Sequence, residues 1–228
     1  MIVVLCFLLL NTVHAQTDAL SAMQKICTAY NSKTAISFNG SLKMYIKNSP
    51  GKIIEKMKSS YVLKGKNFSC IIGPVEMLLN KDYYVSVDKT IKLIIIGNKR
   101  DLSGTEQIPV LNTSQFKTWI AEKIIEASVT SYGGDAVLQL TDQQGITGYN
   151  LYNITYDRVT GYMKKVVLEI SDRNDPAHKT VVLEINYSRP VVAIKNEERF
   201  SEKQFFSVIN TKIKVTNSYR GYQLINQL

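Results

Sequence analysis

Cysteine and histidine are scarce in this sequence, which has three cysteines and two histidines among 228 residues. One of each lies within the first fifteen residues, so that only Cys27, Cys70 and His178 remain in the rest of the chain. A zinc site needs three or four Cys, His or carboxylate ligands at suitable spacing, and a lone histidine does not supply them. The sequence therefore predicts no metal site and no cofactor.

Recognisable catalytic motifs are also lacking. The chain has no G-x-S-x-G elbow and no G-x-x-x-x-G-K-[ST] phosphate loop. Two carboxylates, Glu169 and Glu184, fall on adjacent predicted strands and opposite the apolar phase, so we expect them to face solvent and to pair with lysines across the strands. We therefore expect a protein that is not an enzyme. A hydrolase built around His178 is kept as the least favoured alternative.

The first residues, "MIVVLCFLLLNTVHAQ", are typical of an export signal. Their apolar run from Ile2 to Leu10 is too short to span a bilayer, and a small-x-small pattern precedes Gln16. We expect residues 1–15 to be a signal peptide and the protein to be exported across the inner membrane into the periplasm.

The net charge of +9 suits anionic membrane surfaces, acidic polymers or acidic protein patches. Nucleic acid is not expected as a partner, because the lysines are dispersed and the chain carries an export signal. In an oxidising compartment Cys27 and Cys70 could form one disulfide, which needs their Cα atoms within about 7 Å. The alternative, two separate buried thiols, stays open.

Two segments show helical spacing of apolar residues. We predict a short helix over residues 18–30, and a second helix over residues 114–127, which carries the only tryptophan. The apolar positions of the first are Leu20, Met23, Cys27 and Tyr30, and those of the second are Phe116, Trp119, Ile120 and Ile124.

Alternation typical of strands fills most of the remaining chain, with short turns between the strands. Short connections make antiparallel neighbours. We therefore predict a mainly β (α+β) fold in which two helices cover one face of a single, strongly curved antiparallel sheet. A pair of smaller β domains that divide near residue 110 is the alternative.

One predicted hairpin, "YYVSVDKTIKLIIIGNKR" at residues 83–100, is apolar on both faces of its second strand. Ile91, Leu93 and Ile95 should point one way, and Ile94 and Ile96 the other. Two helices cannot cover both faces of about eleven strands. This apolar surplus, an excess of aliphatic side chains over what two helices could cover, indicates either a curled sheet around an apolar hollow or an exposed binding patch. For each residue taken singly, ordinary core packing remains the alternative.

Several hairpins carry a family resemblance. The stretch "NKDYYVSVDKTIKLIII", the late pair "YNLYNITYDRVTGYMKKVVLEI" and "KTVVLEINYS", and the ending "SYRGYQLINQL" resemble the periplasmic outer-membrane lipoprotein carrier (LolA/LolB-like) superfamily. The resemblance implies one carrier-like domain over residues 16–228, folded as a half-open β-barrel with a helical lid. It also implies a monomer that binds lipoprotein acyl chains or other lipid, together with sorting components of the inner and outer membranes.

The resemblance and the apolar surplus together indicate candidate residues for the lining of the hollow. They are Met77, Leu79, Leu93 and Ile95 on the sheet, and Phe116, Trp119 and Ile120 on the second helix. One departure is that no arginine precedes Arg100, whereas the carriers latch their lid with an arginine on an early strand. Generic lipid binding, and an envelope scaffold that binds a protein partner without lipid, therefore stay open beside lipoprotein sorting.

Overall fold

A computed structural model describes residues 18–31, 34–99, 118–122, 124–142, 150–171, 179–192, 197–210 and 212–228. The predicted signal peptide, Phe116 and His178 lie outside these ranges. The chain divides into two compact units, each assembled from three separate segments. Unit 1 comprises Met1–Ala29, Ser41–Lys56 and Val110–Tyr187, and unit 2 comprises Tyr30–Gly40, Met57–Pro109 and Ser188–Leu228. Neither unit is a continuous half of the chain, and the single domain over residues 16–228 stays a prediction.

The secondary structure is mainly β. Helix α1 covers residues 18–30, as predicted, and a helical turn, α2, covers residues 118–121. The strands are β1 (Ile36–Ile46), β2 (Ser49–Lys64), β3 (Asn67–Ile72), β4 (Val75–Leu79), β5 (Tyr83–Asp88), β6 (Leu93–Asn98), β7 (Glu126–Tyr132), β8 (Asp135–Thr141), β9 (Leu151–Asp157), β10 (Met163–Ser171), β11 (Thr180–Tyr187), β12 (Val191–Val192), β13 (Phe206–Ile209), β14 (Lys212–Val215) and β15 (Gln223–Gln227). Short 3-10 helices cover Glu197–Phe200, Glu202–Gln204 and Asn217–Tyr219.

Thirteen strands form one sheet in the order β15-β6-β5-β4-β3-β2-β1-β11-β10-β9-β8-β7, with β12 paired to β1. The order begins at β15 and ends at β7, so the described strands leave the sheet open. The predicted mainly β fold on one large antiparallel sheet is confirmed, with one exception. The last strand, β15, pairs in parallel with β6.

The second predicted helix is wrong at its C-terminal end. Helical residues stop at 121, and the backbone N–H of Ile124 donates to the carbonyl of Trp119 at 2.8 Å. Ala127, predicted as helical, lies in β7, where it pairs with Leu140 of β8. The segment from Glu126 also alternates with period two, and hairpin pairing with β8 prevails over the three- and four-residue spacing.

In unit 1, the inner face of α1 is buried through Ala19, Ala22, Met23 and Ile26. Gly161, in the turn between β9 and β10, lies against this helix. On the sheet, Lys47 binds the carboxylate of Glu169 at 2.6 Å and Lys165 binds that of Glu184 at 3.0 Å. The predicted lysine pairing of both glutamates is therefore confirmed, and the pKa of Glu184 is lowered by hydrogen bonds from Asn186 and Lys165.

In unit 2, one face of the sheet is a closed core. Its sheet residues, which include Val62, Leu78, Val85, Val87, Ile94 and Ile96, are fully buried. They pack against Phe200, Phe205, Phe206 and Tyr219 from the segment Glu197–Tyr222, which we call the C-terminal layer. This layer was not predicted as a cover for the sheet. It explains why Ile94 and Ile96 are apolar, and it removes the need for a hollow on their side of β6.

Candidate functional site: an apolar face on the sheet of unit 2

The opposite face of this sheet carries all four predicted sheet residues. Cys70 pairs with Met77, Met77 with Ser86, and Ser86 with Ile95, which forms one row across β3 to β6. Directly paired residues point to the same side, and alternate residues along a strand do so as well. Leu79 therefore shares the side of Met77, and Leu93 shares that of Ile95. We call this surface the open face.

Three further apolar residues extend the open face. Ile72 pairs with Val75 across the turn at Gly73-Pro74, and Ile95 pairs with Ile225 of β15. Sequence reasoning could have found the first two, because a two-residue turn places its flanking residues opposite each other. Ile225 carried no such signal, because its parallel partner lies 130 residues earlier in the chain.

The open face is partly accessible to solvent. Met77, Leu79, Leu93 and Ile95 are each half-buried, whereas their neighbours Leu78, Ile94 and Ile96 are fully buried on the core side. Ile225, at the edge of the sheet, is 38% exposed. Six adjacent strands at about 4.8 Å spacing give the open face a width of about 24 Å. Ser86 and Asp88 of β5 lie between the aliphatic residues of β4 and those of β6. The surface is thus a mainly apolar, partly accessible patch of the kind that marks a binding site.

Aromatic packing closes one end of the open face, at β2 and β3. The ring of Tyr61 stacks on Phe38 at 4.9 Å and lies 6.4 Å from Phe68, while Phe38 meets Tyr30 edge-on at 5.4 Å. Cys70 is buried beside them, and this burial raises the pKa of its thiol to about 12. The face therefore passes from a dry aromatic end at β2 to an accessible aliphatic end at β6 and β15.

Polar groups fasten the C-terminal layer behind the open face. The amide of buried Asn80 donates to the carbonyl of Phe200 at 3.2 Å and to the carboxylate of Glu202 at 2.9 Å. Its side-chain oxygen accepts from the backbone N–H groups of Asp82 and Tyr83. Because β4 and β5 are held from behind in this way, their open-face side chains project from a rigid support.

The tip of the β5–β6 hairpin differs from the prediction. The carboxylate of Asp88 accepts from the backbone N–H of Thr90 at 2.8 Å, and Lys92 has a positive φ of 52°. The strand therefore starts at Leu93, and Ile91 lies in the turn, where it is 66% exposed. Ile91 was predicted on the same strand face as Leu93 and Ile95, and this prediction is wrong.

The predicted residues of the second helix belong to unit 1 or to undescribed segments. Trp119 is half-buried and Ile120 is buried, both within unit 1, and Phe116 is outside the described residues. Cys27 and Cys70 are not joined by a disulfide bond in the structure. Within the described ranges, no three His, Cys, Asp or Glu side chains are placed to hold a metal ion. The helices of those ranges also include none that has the length and apolar character to cross a bilayer.

No protein-family model matches the sequence, and no curated protein sequence matches it. Solved structures do resemble it. An outer membrane lipoprotein-sorting protein domain from Vibrio parahaemolyticus has a TM-score of 0.37 and 11% identity over 80% of this chain and 96% of that chain. The complex of MucA and MucB from Pseudomonas aeruginosa has a TM-score of 0.37 and 12% identity over 87% of this chain and 63% of that chain. A LolA superfamily protein from Nitrosomonas europaea has a TM-score of 0.39 and 12% identity over 80% of this chain and 97% of that chain. It belongs to the family that the sequence resembles.

Proposed function

We propose that the protein binds the acyl chains of lipids or lipoproteins on the open face of unit 2 and catalyses no reaction there. The observation that carries the proposal is the division between the two faces of one sheet. The C-terminal layer fully buries Leu78, Val85, Val87, Ile94 and Ile96 on the core face, whereas the aliphatic residues of the open face stay only half-buried. The core therefore does not require apolar residues at these positions, and a ligand would supply the missing cover.

The chemistry of the open face suits an acyl chain. The side chains of Met77, Leu79, Leu93 and Ile95 are flexible or aliphatic and carry no charged or hydrogen-bonding group. They would contact a ligand through apolar area alone. Burial of such area contributes roughly 25 cal/mol per Å². Methionine adapts its shape to an irregular or flexible ligand. An exported carrier in the periplasm that takes part in lipoprotein sorting to the outer membrane is the finer form of this proposal, and it rests on the sequence resemblance.

The test is the affinity of the delipidated protein for a synthetic acylated lipopeptide, measured by calorimetry. Met77→Asn and Ile95→Asn each place a polar amide in the apolar contact, so we expect affinity to fall by about tenfold or more in each variant. Val208→Asn is a matched control, because Val208 is exposed on β13 and is 49% accessible. Absence of binding by the delipidated protein, or wild-type affinity in both open-face variants, would contradict the proposal.

A second candidate function is the binding of a protein partner without lipid. It is favoured by β15, which lies at one edge of the sheet and whose five residues are all exposed. A free strand edge offers backbone groups to an added strand of another chain. Asn226 is a suitable site for the test, because the N–H of Gln223 donates to Lys92 beside β6 and alternation places the N–H of Asn226 on the free edge. Capture of a stoichiometric protein partner by the delipidated protein, with loss of capture in Asn226→Pro, would favour this function over acyl-chain binding.

A further inference from the structure

A second apolar surface lies in unit 1, on the segment Ser41–Lys56, which we call the β1–β2 arm. Two aliphatic residues near the C-terminal end of this arm are exposed, Ile53 by 47% and Ile54 by 54%. They belong to a regular strand, and every residue of β2 from Ser49 to Lys56 is exposed. The arm therefore presents branched aliphatic side chains to solvent from an ordered backbone.

The free edge of the arm follows from how β2 is paired. β3 pairs with β2 only from Ser59 to Lys64. The earlier part of β2 thus extends past the end of β3, and the described strands leave its outer edge uncovered. An uncovered, aliphatic strand edge is a liability unless something binds it or charge protects it.

The charge of the arm is strongly positive. It carries four lysines, Lys43, Lys47, Lys52 and Lys56, and one acidic residue, Glu55, and of these lysines Lys47 is already paired with Glu169. Alternation along β2 places Lys52, Ile54 and Lys56 on one side of the strand, so that an aliphatic side chain lies between two cations. Protection of an edge needs only the lysines and does not account for the two isoleucines. The combination is typical of segments that enter the interface of an anionic bilayer.

The directions of the two isoleucines distinguish a bilayer from a protein partner. Successive side chains on a strand point to opposite faces, so Ile53 and Ile54 project on opposite sides of β2. A protein surface docked against one face of the strand would cover one isoleucine and leave the other exposed. A fluid lipid interface that receives the free edge of the strand contacts both side chains, while the lysines reach the lipid phosphates.

We infer that the β1–β2 arm binds the surface of bilayers that contain anionic lipid, with Ile53 and Ile54 in the interface and Lys52 and Lys56 at the phosphates. This inference goes beyond acyl-chain binding and does not depend on it, because the arm and the open face have no residue in common. The two proposals can therefore fail separately.

The test is flotation of the purified protein with phosphatidylcholine vesicles that either contain or lack phosphatidylglycerol. We expect binding to the anionic vesicles only, and weaker binding as salt is added. Lys52→Glu/Lys56→Glu should reduce the affinity by about tenfold or more, since each lysine near an anionic surface contributes to binding. Ile53→Asn/Ile54→Asn should also reduce affinity while the salt dependence remains.

A matched control is Lys212→Glu/Lys214→Glu on β14, which changes the net charge by the same amount at two exposed lysines. It should keep wild-type vesicle binding. If Lys52→Glu/Lys56→Glu fails to fold by circular dichroism, Lys52→Gln/Lys56→Gln replaces it. Equal loss in the control would overturn the inference, because binding would then follow net charge alone. Failure of the wild type to bind anionic vesicles, or capture of an acidic protein in their place, would also overturn it.

Discussion

The phenol of Tyr219 donates a hydrogen bond of 2.9 Å to the carboxylate of Glu76, 143 residues earlier in the chain. The same carboxylate forms an ion pair with Lys89. Burial and the adjacent carboxylate raise the pKa of Tyr219 well above its usual range. A hydrogen bond to a charged acceptor is stronger than a neutral one. This contact therefore fastens the C-terminal layer to β4, directly behind the open face.

Removal of this hydrogen bond should weaken the fold. Tyr219→Phe keeps the ring, which stacks on Phe205, and removes only the hydroxyl group. We expect the free energy of unfolding, measured in urea, to fall by about 1.5 kcal/mol. Tyr132→Phe is the control, because Tyr132 is exposed and its change should stay within about 0.5 kcal/mol. Equal stability of Tyr219→Phe and the wild type would show that the hydrogen bond contributes nothing.

Two adjacent residues of β6 should separate stability from binding. Ile96 is fully buried against the C-terminal layer, whereas Ile95 is half-buried on the open face. Ile96→Ala leaves a cavity and should lower the free energy of unfolding by about 3 kcal/mol. Ile95→Ala should cost less stability but should weaken binding of the acylated lipopeptide. The reverse pattern, with binding lost only in Ile96→Ala, would place the ligand on the core face and contradict binding on the open face.

Alkaline pH should destabilise the protein through its buried thiol. Burial raises the pKa of Cys70 from 9.0 to about 12, so the folded state retains a proton that the unfolded state loses above pH 9. The stabilising contribution is complete below pH 9 and is lost as the pH rises from 9 towards 12. Tyr219 acts in the same direction above pH 10.

The measurement is the free energy of unfolding of the reduced protein at several pH values from 8 upward, with and without Cys70→Ala. The variant should show a shallower decline above pH 9, whatever its stability at neutral pH. Cys27→Ala should flatten the decline less, because burial raises the pKa of Cys27 only to about 11. Parallel curves for Cys70→Ala and the wild type would contradict a contribution of the Cys70 thiol to the alkaline loss of stability.

That the four predicted sheet residues share one face could be read from the sequence, because its determinants are local. Met77, Leu79, Leu93 and Ile95 share a face through the two-residue alternation of strands and the register of adjacent hairpins, and both are readable within about 25 residues. The same alternation correctly paired Glu169 and Glu184 with lysines across strands.

The parts that escaped prediction depend on distant pairing. Phe206 is buried against sheet residues more than 100 positions earlier, and no periodicity in its own segment indicates which surface it covers. Gln223 pairs with Leu93 in parallel, which the short turns elsewhere in the chain did not suggest. Near Ala127, helical spacing and strand alternation coexist in one segment, and the partner strand β8 decided between them.

Helix α1 should be sensitive to any side chain added at Gly161. This glycine has a positive φ of 77°, and a Cβ atom there would lie 2.8 Å from the carbonyl oxygen of Lys25 and 3.1 Å from the Cβ atom of Ala29. The clash with helix backbone cannot be relieved by a rotamer change. Gly161→Ala should therefore combine the cost of a left-handed conformation, about 1 kcal/mol, with displacement of α1.

Gly133→Ala is the matched control, because Gly133 has a similar φ of 58° in a hairpin turn and no atom lies within 4 Å of an added Cβ. We expect Gly133→Ala to lower the free energy of unfolding by about 1 kcal/mol and Gly161→Ala to lower it by about 2–3 kcal/mol. Hydrogen exchange should localise the additional loss to the amides of α1. Similar effects of the two substitutions would mean that α1 does not pack closely on this turn, since backbone strain alone would then account for both.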